Sequence, residues 1–331
     1  MFADHLQPDL QIDTVLREPT RNGYGDGLLE AARHNEQVVA LSADLTESTR
    51  TLPFAEAFPQ RFVQVGIAEQ NMASVASGMA AMGKVPFIAS YAMFSPGRSW
   101  EQVRTTIAYN NVNVKIVGAH AGVSVGPDGA THQAIEDLAL MRVIPNMVVL
   151  APADIHEAKQ ATLAAARYVG PVYLRIGRSP TPVVTTPASP FMIGEAVRMY
   201  ERSPDHEATV GIVTTGSLLF NGLMAAQALN QQGVGASVLH CATIKPLDDA
   251  RLVAFASEHR RIITVEEHQV AGGLGGAVAE VLSEQCPTPL CRIGVRDAFG
   301  QSGEPDELIT HYGMGIDVII KAAEGLVTRF A

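Results

Sequence analysis

From Val38 onward the chain alternates short runs of β-branched and apolar residues with longer stretches rich in Ala and Leu, and this alternation limits the fold more than any other feature. The pattern predicts strands over 38–41, 63–65, 87–90, 112–118, 148–150 and 171–176. Between them it predicts a small-residue helix over 70–82, a helix over 99–109, and an Ala-rich helix ending at Val169 with Asp154 as its N-cap. Strands separated by helices of this kind form a mostly parallel sheet covered on both faces. Pro180, Pro182, Pro187 and Pro190 then cluster among Thr and Ser, the composition of a linker. A second series follows, with strands expected over 209–214, 236–240, 261–265 and 289–295 and helices over 217–229, 248–258 and 275–283. The expected organisation is an amino-terminal arm (1–19), a first α/β domain (20–180), a linker (181–192) and a second α/β domain (193–331) with a mostly parallel sheet. A length of 331 residues accommodates two domains of ordinary size.

Hydrophobic residues make up 47% of the chain and charged residues 18%, so a large core can form. The formal net charge of −10 argues against a nucleic-acid surface, although a local cluster of Arg and His can still bind an anionic small molecule. Cys241, Cys286 and Cys291 lack metal or redox spacing, which points to a reduced, cytoplasmic setting. The first residues carry Asp4, Asp9 and Asp13 without an apolar run, so no signal peptide is expected, and no apolar run is long enough to span a membrane.

In a parallel sheet the carboxyl ends of the strands share one edge, where ligands bind. Glu69 follows the second expected strand and opens the small-residue helix. A carboxylate there is either a first-turn charge favoured by the helix dipole or a group that a ligand uses. After the third strand, Tyr91 and Phe94 are either ordinary core aromatics or a wall for a flat ring. After the fourth, His120 precedes a polar loop containing Gly122, Ser124, Asp128, Thr131 and His132. The sixth ends in Arg175-Ile176-Gly177-Arg178, where an Arg is either an anion fork or solvated. The first runs into Ser42-Ala43-Asp44-Leu45-Thr46-Glu47-Ser48. Polar groups at five strand ends carry more weight together than any one motif.

These runs resemble the carboxyl-terminal half of transketolases, and closely the carboxyl-terminal subunit of split, two-gene members. The matching segments are Ser42-Ala43-Asp44-Leu45-Thr46, Gly66-Ile67-Ala68-Glu69-Gln70-Asn71-Met72, Gly126-Pro127-Asp128-Gly129-Ala130-Thr131-His132-Gln133 and Asp297-Ala298-Phe299-Gly300-Gln301-Ser302-Gly303. The resemblance implies a thiamine-diphosphate pyrimidine-binding domain followed by a transketolase carboxyl-terminal domain. It implies that Glu69 hydrogen-bonds pyrimidine N1′ and sets the tautomer of the cofactor. Phe94 and Tyr91 would wall the pyrimidine, and Asp44 would lie near the reacting side. His132 and Asp128 would contact the carbonyl and hydroxyl end of the sugar. Arg21, Ser48, His120 and Arg178 would bind its phosphate.

The resemblance further implies an amino-terminal partner subunit that holds the diphosphate through Mg²⁺, with no metal ligands in this chain and an α2β2 assembly. The reaction implied is transfer of a two-carbon ketol unit between sugar phosphates in carbohydrate metabolism such as the pentose phosphate interconversions. Branched ketose phosphates such as apulose 4-phosphate are within the range of split members. The beta subunit of a 2-oxoacid dehydrogenase and a deoxyxylulose-phosphate-synthase-like enzyme share the architecture and stand as alternatives. Two departures concern the pyrimidine pocket: Tyr91 stands where many members have Phe, and Pro96-Gly97 replaces a stretch that often supplies a further aromatic. Gly25-Asp26-Gly27 mimics the metal motif of the missing half but lacks a preceding strand, and is read as a helix start. Gly272-Gly273-Leu274-Gly275-Gly276 does not fit a nucleotide loop and is read as tight helix packing.

Overall fold

The computed structural model describes residues 1–203, 205–206 and 210–330. The first half contains β1 (Arg17–Glu18), α1 (Thr20–His34), β2 (Val38–Ser42), α2 (Leu52–Ala57), β3 (Phe62–Gln64), α3 (Glu69–Ala81), β4 (Val85–Tyr91), α4 (Trp100–Gln102), β5 (Lys115–Ala119), α5 (Asp137–Arg142), β6 (Val148–Leu150), α6 (Ile155–Arg167), β7 (Val172–Arg175) and β8 (Thr181–Pro182). The second contains β9 (Val197–Tyr200), β10 (Val210–Thr214), α7 (Leu219–Gln231), β11 (Ala236–His240), β12 (Thr243–Lys245), α8 (Asp249–His259), β13 (Ile262–Gln269), α9 (Leu274–Gln285), β14 (Leu290–Val295), α10 (Pro305–His311) and α11 (Ile316–Arg329). The expected strand start at Thr209 lies outside the described residues.

Two mostly parallel sheets organise the chain. The first runs β12-β6-β7-β5-β4-β2-β3, and every pairing but β12 with β6 is parallel. The second runs β14-β13-β10-β11-β9, with only β9 antiparallel. The strands that bear the candidate residues, β7, β5, β4, β2 and β3, are consecutive neighbours, so their carboxyl ends form one uninterrupted edge. Edge strand β12 comes from the second half of the chain yet extends the first sheet, with Thr243 opposite Leu150.

Several expectations change in detail. The helix expected over 99–109 is α-helical only at Trp100–Gln102 and loosens to a π-type turn over Val103–Ala108. Thr105 Oγ1 and Thr106 Oγ1 donate back to the carbonyls of Glu101 and Gln102, a pattern that bends helices. Gly25-Asp26-Gly27 lies inside α1 rather than at its start. The nearby glycines serve packing: a Cβ on Gly23 would stand 2.0 Å from the Ile155 carbonyl oxygen, and one on Gly27 2.8 Å from Thr162 Cβ. α1 and α6 therefore approach at nearly backbone distance. The glycine-rich loop before α9 closes over Glu266, a fully buried carboxylate that accepts from the Leu274 and Gly275 amides at 2.7 Å each. A Cβ on Gly273 would stand 2.0 Å from Glu266 Oε2, which explains the composition without a nucleotide.

The amino-terminal segment is packed down. β1 pairs with β8, Leu6, Leu10 and Val15 are buried in the core of the second sheet, and Phe2 meets Tyr200 edge to face at 5.1 Å. The Pro-rich segment is anchored by Asp154, which caps α6 and also accepts from the Val184 and Thr185 amides. Across the two halves, Arg175 donates to Asp137 at 2.8 Å and to the Glu267 carbonyl at 2.8 Å. Arg175 is thus a buried structural residue rather than an anion fork. His240 and Glu157 pair at 3.0 Å in a second buried clasp. Among the described residues no helix is long and apolar enough to cross a membrane.

Candidate active site

Each strand end delivers its side chain through a local device. After β3, Gly66 adopts φ +71°, turning the chain so that Glu69 becomes the first residue of α3. Its carboxylate, 2% exposed, lies where the helix dipole favours negative charge. Glu69 Oε2 accepts from Arg98 Nη1 at 3.1 Å, and among the described residues Oε1 has no partner. Gln64, the last residue of β3, accepts from the amides of Asp44 at 2.8 Å and Gly66 at 3.2 Å. It thereby ties the Asp44 loop to the turn that sets Glu69.

The ends of β4 and β5 build an aromatic surface. Tyr91 and Phe94 stack with planes 14° apart and centroids 5.9 Å apart. Tyr91 lies on His120 at 3.9 Å, and His132 meets Phe94 edge-on at 5.5 Å. Residues far apart in sequence thus share one wall, and the core alternative for the two aromatics does not hold: both are half-buried.

Beside this wall stands a cluster of cations. Arg21 Nη1 donates to the Ser48 carbonyl at 3.0 Å and faces His120 Nε2 at 3.4 Å. Arg178 Nη1 donates to the Val125 carbonyl at 2.7 Å, and among the described residues its other donors have no partner. Burial, then the Arg21 and Arg178 charges and His132, push the His120 imidazole down to about 3. Burial and the charges of Arg50 and Arg178 likewise lower Arg21. A neutral imidazole among several guanidinium groups is an unbalanced positive field, the arrangement that binds a dianion. Asp44 and Asp128 stand exposed at the rim, and among the described residues neither carboxylate has a hydrogen-bond partner. His132 is half-buried with Nδ1 2.9 Å from Thr131 Oγ1.

Residues 18–183 match the transketolase pyrimidine-binding domain, and residues 201–319 match the transketolase C-terminal domain. The chain belongs to the transketolase family. A putative transketolase C-terminal section of Methanocaldococcus jannaschii is 43% identical over 304 residues, covering 91% of this chain and 94% of the relative. A 6-deoxy-6-sulfo-D-fructose transketolase subunit of Clostridium sp. (strain MSTE9) is 39% identical over 309 residues, covering 93% and 94% respectively. Among solved structures, a split-gene transketolase described as an inactive beta4 tetramer is 44% identical, with a TM-score of 0.86, covering 94% of this chain and 98% of that one. The chain therefore corresponds to the carboxyl-terminal section of a transketolase.

Within this transketolase section, Arg50 and Arg98 escaped the sequence reading, and Gln133 stood in a matching segment without an assigned role. Arg50 adds to the positive field at Arg21 and is held by Asn22 at 2.9 Å. Gln133, 2% exposed, donates to the carbonyls of Val123 at 2.9 Å, Gly126 at 3.3 Å and Gln301 at 2.9 Å. It fastens the loop bearing Asp128 and His132 to the second half of the chain. Glu267, buried, holds the same loop by accepting from the Ser124 amide at 2.7 Å. The one available signal for Gln133 was its place beside His132 in a motif already singled out.

Proposed function

We propose that this chain is the carboxyl-terminal subunit of a heteromeric, thiamine-diphosphate-dependent transketolase that moves a two-carbon ketol unit from a ketose phosphate to an aldose phosphate. The observation that carries the reading is the convergence on one sheet edge of a buried carboxylate, an aromatic wall and a cation cluster. The residues fit an aminopyrimidine. Among the described residues one Glu69 carboxylate oxygen has no partner, and Phe94 with Tyr91 offers a flat surface.

When bound, thiamine diphosphate supplies the electron sink for breaking and making a carbon–carbon bond next to a keto group. Glu69 would hold the proton at pyrimidine N1′, the atom through which the protein controls the cofactor. Asp44 would lie near the reacting side. His132 and Asp128 would bind the carbonyl and hydroxyl end of the sugar. Arg21, Ser48, His120 and Arg178 would hold its anionic end, with neutral His120 acting as a hydrogen-bonding group and the guanidinium groups supplying charge. The relative that acts on a sulfo-sugar fits the same logic, since a sulfonate needs the same donors.

An amino-terminal partner would hold the diphosphate and Mg²⁺, in an α2β2 assembly. The open rim supports this: Ile67, two residues before Glu69, is 74% exposed, and Phe299, next to the Gly300 that packs on Gln133, is 84% exposed. The structural relative's description as an inactive tetramer of one subunit type also supports the need for a second chain. The dehydrogenase beta-subunit alternative leaves the cation cluster without a purpose. The test is a ketol-transfer assay of the chain mixed with its amino-terminal counterpart, cofactor and Mg²⁺, across ketose phosphates and sulfo-ketoses. Transfer from at least one donor is expected; none from any donor overturns the proposal.

A further inference from the structure

Arg98 takes no part in the proposed reaction, yet it holds the residue on which that reaction depends. Its Nη1 donates to Glu69 Oε2 at 3.1 Å, and its guanidinium carbon lies 4.9 Å from the centre of the Phe94 ring. The two partners differ sharply in exposure: the Glu69 side chain is 2% exposed and that of Arg98 is 49% exposed. A carboxylate buried to that extent is strongly disfavoured without a partner, so removing Arg98 from the empty seat would destabilise the subunit.

A guanidinium is planar, presents N–H donors along its edge and stacks on aromatic faces. An aminopyrimidine protonated at N1′ has the same three properties, so both need the same carboxylate and the same wall. They do not share these readily. Two cationic N–H edges on one buried carboxylate repel each other, and a guanidinium on Glu69 opposes protonation of a neighbouring ring nitrogen. The Phe94 face it covers is also closed to a ring.

We infer that Arg98 is a placeholder. It mimics the aminopyrimidine, neutralises Glu69 while the seat is empty, and swings toward solvent when the cofactor arrives. It ends the irregular turn Met93–Arg98 directly after exposed Gly97, on the solvent side of the pair, so it has room to move. The inference rests on the proposed role of Glu69 toward the pyrimidine.

The test compares wild type, Arg98→Ala and Arg98→Gln, each assembled with the amino-terminal counterpart. Thiamine diphosphate with Mg²⁺ is titrated by calorimetry, and the melting temperature of the full chain alone is recorded. Arg98→Ala should bind the cofactor at least threefold more tightly, although it removes a positive charge near a polyanionic ligand. The chain alone should melt below wild type, and Glu69→Gln added to Arg98→Ala should restore part of the loss. Arg98→Gln, which keeps a neutral donor, should fall between and carries the comparison if the alanine variant does not assemble. Equal or weaker binding by the variants, with wild type binding normally, overturns the placeholder and leaves the cofactor reading intact. Failure of wild type itself to bind removes the cofactor reading and this inference with it.

Discussion

Arg21 Nη1 faces His120 Nε2 across 3.4 Å, so the imidazole nitrogen on that side acts as an acceptor and the ring stays neutral beside the guanidinium. Tyr91 covers the same ring at 3.9 Å, joining the cation cluster to the aromatic wall. Among the described residues the His120 Nδ1 atom is buried without a hydrogen-bond partner. Because His120 carries no charge, the guanidinium groups have to supply the attraction for an anion.

Glu69→Ala should cut turnover of the assembled enzyme by at least ~10²-fold, the usual scale for a group that controls a proton in the reaction. Assembly, followed by sedimentation, should not change, because the side chain is buried in its own subunit. Undiminished turnover would remove Glu69 from its proposed role.

Arg178→Ala should raise KM for a phosphorylated ketose by about 10- to 100-fold, the loss of charge-assisted hydrogen bonds worth about 1.5–3 kcal/mol. kcat should change little, and a ketose without an anionic group should show no KM penalty. Equal effects on both substrates would mean that Arg178 does not read the anion.

The buried, neutral state of His120 gives an acid-sensitivity with a definite sign. Its folded value, about 3, lies below the ordinary value of 6.5, so the unfolded chain takes up the proton first. The stability contribution is complete above pH 6.5 and is lost as pH falls toward 3, at up to about 1.4 kcal/mol per pH unit. Denaturant unfolding between pH 7 and 4 should show a shallower loss for His120→Asn than for wild type. Identical slopes would show that His120 is protonated equally easily in the folded chain.

Gln133→Ala should cost about 1–3 kcal/mol in unfolding free energy, because it strips a donor from three carbonyls, two of them in the loop bearing Asp128 and His132. Sugar KM should rise in parallel as the loop loosens. A stable variant with unchanged KM would assign the loop's position to the Glu267 contact alone.

The sequence made the sheet legible because β-branched runs and Ala-rich helices keep their own periods, and Asp154 marked a helix start through cap chemistry that operates within a few residues. The candidate residues were legible because parallel strands bring their carboxyl ends to one edge whatever the side chains are. What stayed hidden depends on distant partners. β12 joins the first sheet from the second half of the chain, and Arg175 is captured by Asp137 and a carbonyl beyond the linker. Gly23 and Gly27 read as helix-weakening residues until α6 is seen pressing on them. Arg98 pairs with Glu69 only because an irregular turn folds it back over Phe94, a geometry that no local spacing encodes.

The most direct test is a crystal structure of the chain assembled with its amino-terminal counterpart, thiamine diphosphate and Mg²⁺. The account predicts a Glu69 carboxylate oxygen within hydrogen-bond distance of pyrimidine N1′, the ring against Phe94, and Arg98 turned out toward solvent. A Glu69 carboxylate directed away from the pyrimidine, or a cofactor seated elsewhere, would contradict it.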